Sequence, residues 1–220
     1  MTGTTLRLAL ILALLLLAAI CGVLGGPTNA LDVALIHDGI ALRAASRWPT
    51  DAGLALNIIG GVAATLGVTA AGSMFLWRSR GHGEALRFIG IIAGGRLLVE
   101  AIKLIVHRQR PALDPHPVVT HSLSFPSAHA ANSMIALCTL VLFFAPPRHR
   151  AGAVAAAVVA SLVIGASRPL IGVHWPSDVV AGWAIGAAWV IAGWTFARRL
   201  AASEPQHHVI GGHRLTRHED

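Results

Sequence analysis

Charge is scarce in this chain, and lysine is scarcer still. Of 220 residues 12% are charged, and Lys103 is the single lysine among the 17 basic side chains. With 55% apolar residues and a mean hydropathy of +0.66, this composition excludes a disordered chain and points to a membrane protein. The formal charge of +7 is carried almost wholly by arginine. These arginines stand singly or in pairs between apolar runs and form no basic stripe interleaved with aromatics, so nucleic-acid binding is set aside. Cysteine is nearly absent. Cys21 and Cys138 fall inside apolar runs and read as small hydrophobes, with no disulfide framework and no metal-ligand spacing. No internal repeat and no second domain are visible.

What is present is a series of apolar stretches of bilayer-spanning length, about 17–25 residues each. They cover residues 6–25, 54–77, 85–106, 130–145, 151–167 and 179–196, and they predict an all-α bundle of six transmembrane helices over residues 1–200. The first stretch follows Arg7 like a signal peptide. Its apolar core is too long for one, and no A-x-A-like site follows cleanly, so it is read as a span.

The connections alternate. Arg7, Arg78 and Arg80, Arg148 and Arg150, and the tail arginines Arg198, Arg199, Arg214 and Arg217 all fall on one side of a six-span chain. By the positive-inside rule that side is the cytoplasm, and both termini lie there. The opposite side receives residues 26–53, 107–129 and 167–178. In the first of these, Pro27 and Asn29 can start a short interfacial helix with Leu31, Leu35 and Leu42 on one face. An ordinary loop is the alternative, because Gly39 falls in the middle. Residues 201–220 read as a polar, disordered tail, whose His207, His208 and His213 are solvated.

Three polar clusters stand on the outer side. In "KLIVHRQRP", Lys103 and Arg110 are two helical turns apart and share a face if the third span continues to Pro111, which then stops it. Snorkelling to headgroups is the competing reading, and Arg108, pointing elsewhere, is assigned to it. In "SFPSAHAANS", Pro126 and Ser127 look like the start of the fourth span, with Ser127 as cap and His129 in the first turn, where an anion is favoured. In "SRPLIGVHWPSD", Arg168 offers a planar fork for phosphate oxygens. Asp178 or Ser177 caps the sixth span. His174, four residues before Asp178, can be held by a carboxylate that fixes its tautomer. Taken singly each cluster has a plain structural reading. Together they place three cations, a hydroxyl, two histidines and a carboxylate on one membrane face, a kit for phosphoryl transfer. The other acidic residues there are scattered, so no Mg²⁺ cage is read. Within the third span Arg96 and Glu100, four apart, are expected to pair, with Glu100 positioning Lys103.

These segments resemble the type-2 phosphatidic acid phosphatase superfamily of membrane lipid phosphatases, whose active site is like that of the vanadium haloperoxidases. The family pattern is K-x6-R-P, P-S-G-H and S-R-x5-H-x3-D. The chain matches every fixed position of the first and third parts, and has Ala128 for glycine in the second. Alanine keeps the backbone N–H and fits if φ is negative.

The resemblance implies that His174 attacks phosphorus to give a phosphohistidine, supported by Asp178, and that His129 protonates the departing oxygen. It implies that Lys103, Arg110, Arg168, Ser127 and the Ala128 N–H hold the other oxygens, with Pro111, Pro126 and Glu100 in support. It further implies no metal or cofactor, inhibition by vanadate and indifference to EDTA. The expected partners are the bilayer and a lipid phosphate. Polyprenyl diphosphate is placed slightly ahead of phosphatidylglycerophosphate, at the outer face of a bacterial cytoplasmic membrane. A lipid-to-lipid phosphotransferase and a silent lipid-binding protein are the alternatives.

Overall fold

Apolar segments with only their own backbone to bond become helices in lipid, and the apolar segments among the described residues do so here. A computed structural model describes residues 3–120 and 122–203, and among these it has eight helices and no strand. They are α1 (Gly3–Leu24), α2 (Ala30–Ala45), α3 (Trp48–Ile59), α4 (Val62–Arg80), α5 (His82–Val106), α6 (Ala128–Phe144), α7 (Arg150–Leu170) and α8 (Pro176–Ser203). A helix stands at each of the six expected spans. Four helical stretches are long and apolar enough to cross a bilayer: Gly3–Leu24, Trp48–Arg80, Arg150–Leu170 and Pro176–Ser203. The apolar α6 has 17 residues, and the 25-residue α5 carries Glu84, Arg87, Arg96, Glu100 and Lys103.

The second expected span, 54–77, is not continuous: it breaks between α3 and α4 at Gly60 and Gly61. The reason is a close approach. A Cβ on Gly60 would lie 2.4 Å from Ile164 Cγ2 and 3.2 Å from the His129 ring, so only glycine lets the chain pass here. The sixth span also departs from expectation. α8 runs to Ser203, so residues 201–203 are helical and not part of a disordered tail; residues 204–220, with their histidines, lie outside the described residues.

The outer-loop helix is α2. Asn29 caps it, accepting from the Asp32 N–H at 3.0 Å. Gly39 does not weaken it, because a Cβ there would press on the carbonyls of Pro169 and Leu170 at 3.2 and 3.3 Å. Its Asp32, Ile36 and Gly39 turn inward, while Leu31, Leu35 and Leu42 are exposed.

The core lies along α5, α6 and α8. Phe88, Phe143 and Trp194 stack edge-to-face with centroids 5.3 Å apart, each such pair adding about 0.5–1.5 kcal/mol to simple burial. At this end Arg80 donates to the Phe143 carbonyl at 2.7 Å and Arg150 lies 5.9 Å from the Trp194 ring. The basic connections of α4 and α7 thus gather at one end of the bundle. At the other end α8 meets α6 through Gly182 and Gly186. A Cβ on either would sit 2.7 Å from the Ser127 carbonyl or 2.8 Å from that of Ala131. Small residues four apart let two helix backbones touch, and this contact brings the start of α6 against the start of α8.

Candidate active site

The turn between α7 and α8 carries His174, which is 1% exposed. Its Nδ1 faces Asp178 Oδ2 at 3.5 Å and the Ser124 hydroxyl at 3.4 Å. Its Nε2 lies 3.0 Å from Arg110 Nη1. A guanidinium can only donate, so Nε2 is the acceptor and the ring proton belongs on Nδ1, toward the carboxylate. Burial first, and then the charges of Arg110, Lys103 and Arg168, hold the His174 pKa well below the ordinary imidazole value. Neutral imidazole with an unprotonated Nε2 is the form that can attack an electrophile.

Asp178 is not the cap of α8. It sits in the first turn, where Oδ2 reaches back to the Trp175 N–H at 2.9 Å, the carboxylate half of a capping box. The same oxygen accepts from Ser124 Oγ at 2.5 Å. Oδ1 accepts from Arg108 at 2.8 Å. Arg108 therefore does not snorkel. It is half-buried, bonds Ser177 Oγ at 3.1 Å and the carbonyls of Cys21 and Gly22 at 3.0 and 2.7 Å, and stands 4.7 Å from the Phe125 ring centroid. An exposed cation loses little by staying in water, but one offered a buried carboxylate and two carbonyls pairs with them.

The cations reach the site from three elements. α5 ends at Val106, and His107 takes the left-handed conformation with φ 53°. Lys103 and Arg110 thus do not share a helix face, and Pro111 is not what stops α5. Arg110 arrives on the extended segment beyond, where the buried Pro111 follows it. It bonds the carbonyls of Ser122 and Val173 at 2.7 and 2.6 Å. Lys103 is 2% exposed and donates to the carbonyls of Leu123 and Pro126 at 2.6 and 2.9 Å, which leaves one of its three N–H bonds free. Arg168, 1% exposed at the end of α7, donates from Nη1 to Asn57 Oδ1 at 3.1 Å. Its Nε has no partner.

Ser127 precedes α6 but makes no cap bond with its side chain. Its N–H donates to the Asp178 carbonyl at 2.9 Å, and its buried Oγ has no partner. Among the described non-glycine residues only His107 has positive φ, so Ala128 takes the place of a glycine without strain. His129 stands 3.3 Å, through Nε2, from the Asn57 carbonyl. A cavity of about 400 Å³ is lined by Asn57, Arg110, Ala128, His129, Arg168 and His174, with further residues deeper in. Arg96 and Glu100 are among those. They make no ion pair with each other among the described residues, so the expected pair is not formed.

Sequence reasoning missed Arg108, Ser124 and Asn57. Arg108 and Ser124 lay inside quoted motifs. Asn57, a polar side chain in an apolar stretch, carried the same signal of cost that drew attention to the charged residues.

Three cations around an imidazole, at one end of an apolar helical bundle, mark a multi-pass membrane protein with a cationic pocket. The chain belongs to the PAP2 superfamily, whose family model matches residues 84–201. It is 39% identical over 92 residues to the decaprenylphosphoryl-5-phosphoribose phosphatase of Mycobacterium tuberculosis, covering 39% of this chain and 46% of that protein. It is 30% identical over 118 residues to phosphatidylglycerophosphatase B of Bacillus subtilis, covering 51% and 57%. A third match, 30% over 102 residues, is the undecaprenyl-diphosphatase of Sulfolobus acidocaldarius, covering 43% and 45%. The chain thus spans about half the length of the curated relatives it matches. The crystal structure of the first transmembrane PAP2 type phosphatidylglycerolphosphate phosphatase from Bacillus subtilis superposes with a TM-score of 0.77, covering 88% of this chain and 96% of that one. At 23% identity that likeness is one of fold.

Proposed function

We propose that the chain is an integral membrane phosphatase that hydrolyses a lipid phosphate or diphosphate without a metal ion. The observation that carries this reading is the orientation of His174. Nδ1 faces a carboxylate while Nε2 faces the pocket, with Arg110 at 3.0 Å. In the reaction Nε2 attacks phosphorus, the bond from phosphorus to the lipid oxygen breaks, and His129 protonates that oxygen. Water, giving a proton back to His129, then attacks phosphorus and breaks the P–N bond, and phosphate leaves. Lys103, Arg110, Arg168, Ser127 Oγ and the Ala128 N–H meet the spread of charge over the phosphoryl oxygens. The unpartnered Ser127 Oγ and Arg168 Nε support this, because buried polar atoms are rarely left unpaired unless a ligand completes them.

In this reading α1, α3 together with α4, α5, α6, α7 and α8 make six crossings of the cytoplasmic membrane with the basic connections inside, and the pocket opens at the outer face, at headgroup level. The matched relatives are named for lipid-linked phosphates, and the lipid class is drawn from them. The test is phosphate release by the detergent-purified protein from a panel of lipid phosphates, with His174→Ala beside the wild type. Release that falls to background in the folded variant is expected; release that persists in it overturns the reading.

A further inference from the structure

The cavity, about 400 Å³, is larger than a phosphate needs, and part of it extends inward from the phosphate cradle. Along α5, Glu100 and Arg96 follow Lys103 inward, about 5 and 10 Å deeper by helix rise. On α6, Asn132 is one turn deeper than His129, and on α4 Thr65 stands one turn past Val62. All four line the same cavity as His174 and Arg168. They make a second tier beneath the phosphate cradle.

One buried atom of that tier is unsatisfied, and its two charged side chains are half-buried against the cavity. Arg96 and Glu100 are four apart on one helix, a spacing at which opposite charges normally pair. Yet neither makes a hydrogen bond or ion pair among the described residues. Asn132 is 6% exposed, and its Oδ1 has no partner. Thr65 Oγ1 gives its proton to the Gly61 carbonyl at 3.0 Å and keeps its lone pairs for another donor. An orphaned buried amide oxygen costs about 1–3 kcal/mol, which a ligand donor would remove.

We infer that this second tier, Arg96, Glu100 and Asn132, is a subsite for hydroxyl groups on the leaving alcohol, so that the substrate is a polyol or sugar phosphate lipid. The inference rests on the phosphatase reading and narrows it. The ester's lipid side leads toward hydrocarbon, so the group beneath the phosphate is the departing alcohol. A hydroxyl both donates and accepts, matching Glu100 and Asn132 Oδ1 as acceptors and Arg96 as donor. A second phosphate at neutral pH chiefly accepts, and it would meet the Glu100 carboxylate as a like charge. The tier therefore selects against a diphosphate, contrary to the ranking drawn from sequence.

The test uses two diacyl lipids in detergent: phosphatidylglycerophosphate, and its analogue with the hydroxyl beside the phosphate-bearing carbon replaced by hydrogen. The wild type is expected to turn over the hydroxylated lipid with kcat/KM about tenfold or more above the analogue, the discrimination expected of a site built to bond a hydroxyl. Asn132→Ala and Arg96→Gln are expected to bring that ratio close to one. A wild-type ratio within about twofold of unity, or a ratio unchanged in both variants, overturns the subsite; the wild-type measurement decides even where a variant fails to fold. If neither lipid, nor any other in the panel, releases phosphate, the phosphatase reading falls and the subsite falls with it.

Discussion

Arg108 donates to Asp178 Oδ1 at 2.8 Å, through the carboxylate oxygen that His174 does not face. The guanidinium also reaches two carbonyls at the end of α1 and the Ser177 hydroxyl. Ser177 in turn donates from Oγ and N–H to the buried Asp32 of α2, at 2.5 and 2.9 Å. One guanidinium thus ties α1 to the first turn of α8 and holds the carboxylate behind the imidazole.

Arg108→Ala strands a buried carboxylate, so it is expected to cost about 3–5 kcal/mol of stability. It is also expected to lower kcat about 10–100-fold, the loss typical of removing a partner one step behind the reacting group. KM should change little, because Arg108 does not line the cavity. Arg108→Lys keeps the charge but not the fork and should fall between the two. Thermal melts and steady-state kinetics read both effects. A variant whose defect lies in KM with kcat intact contradicts the positioning role.

Protonation of His174 supplies a pH dependence of known sign. Its pKa in the fold is depressed by burial and by neighbouring cations, so the unfolded chain binds the proton more readily. Above the ordinary imidazole value of about 6.5 both states are neutral and stability is flat with respect to this group. As pH falls below it, stability declines, by up to about 1.4 kcal/mol per pH unit for a single proton. Melting temperature against pH, for wild type and His174→Gln, should show a shallower acid slope in the variant. Equal slopes contradict the depressed pKa.

The contact of α8 with α6 is the third point of leverage. Gly182→Ala pushes a methyl against the Ser127 carbonyl, 2.7 Å from the new Cβ, and overpacking of this kind costs about 1–3 kcal/mol. It should also depress phosphate release, because the same contact seats Ser127 against Asp178. Gly67→Ala serves as control: nothing lies within 4 Å of its Cβ, and a helix interior gains up to about 1 kcal/mol from the exchange. Equal behaviour of the two variants contradicts the seating of α6 on α8.

Much of this fold was legible because membrane helices advertise themselves through apolar length, and α1, α7 and α8 fall close to the stretches read for them. The motif residues were legible because charge beside hydrocarbon is costly. Three things were not. The Gly60–Gly61 break serves a contact with Ile164 and His129, residues far along the chain. The end of α5 at His107 depends on one left-handed residue with no glycine to mark it. The missing ion pair between Arg96 and Glu100 departs from their helical spacing, which is a local rule, and both side chains line a cavity to which five helices, α3 to α7, contribute.

Covalent chemistry at His174 is tested most directly by trapping the phosphorylated protein. Protein mixed with a ³²P-labelled lipid phosphate and quenched in alkali, where phosphohistidine survives, should carry one acid-labile label on the peptide containing His174. His174→Ala should carry none, and His129→Ala should accumulate it when the step that releases phosphate is slowed. Label on another residue, or full turnover with no labelled protein at any quench time, contradicts attack by His174.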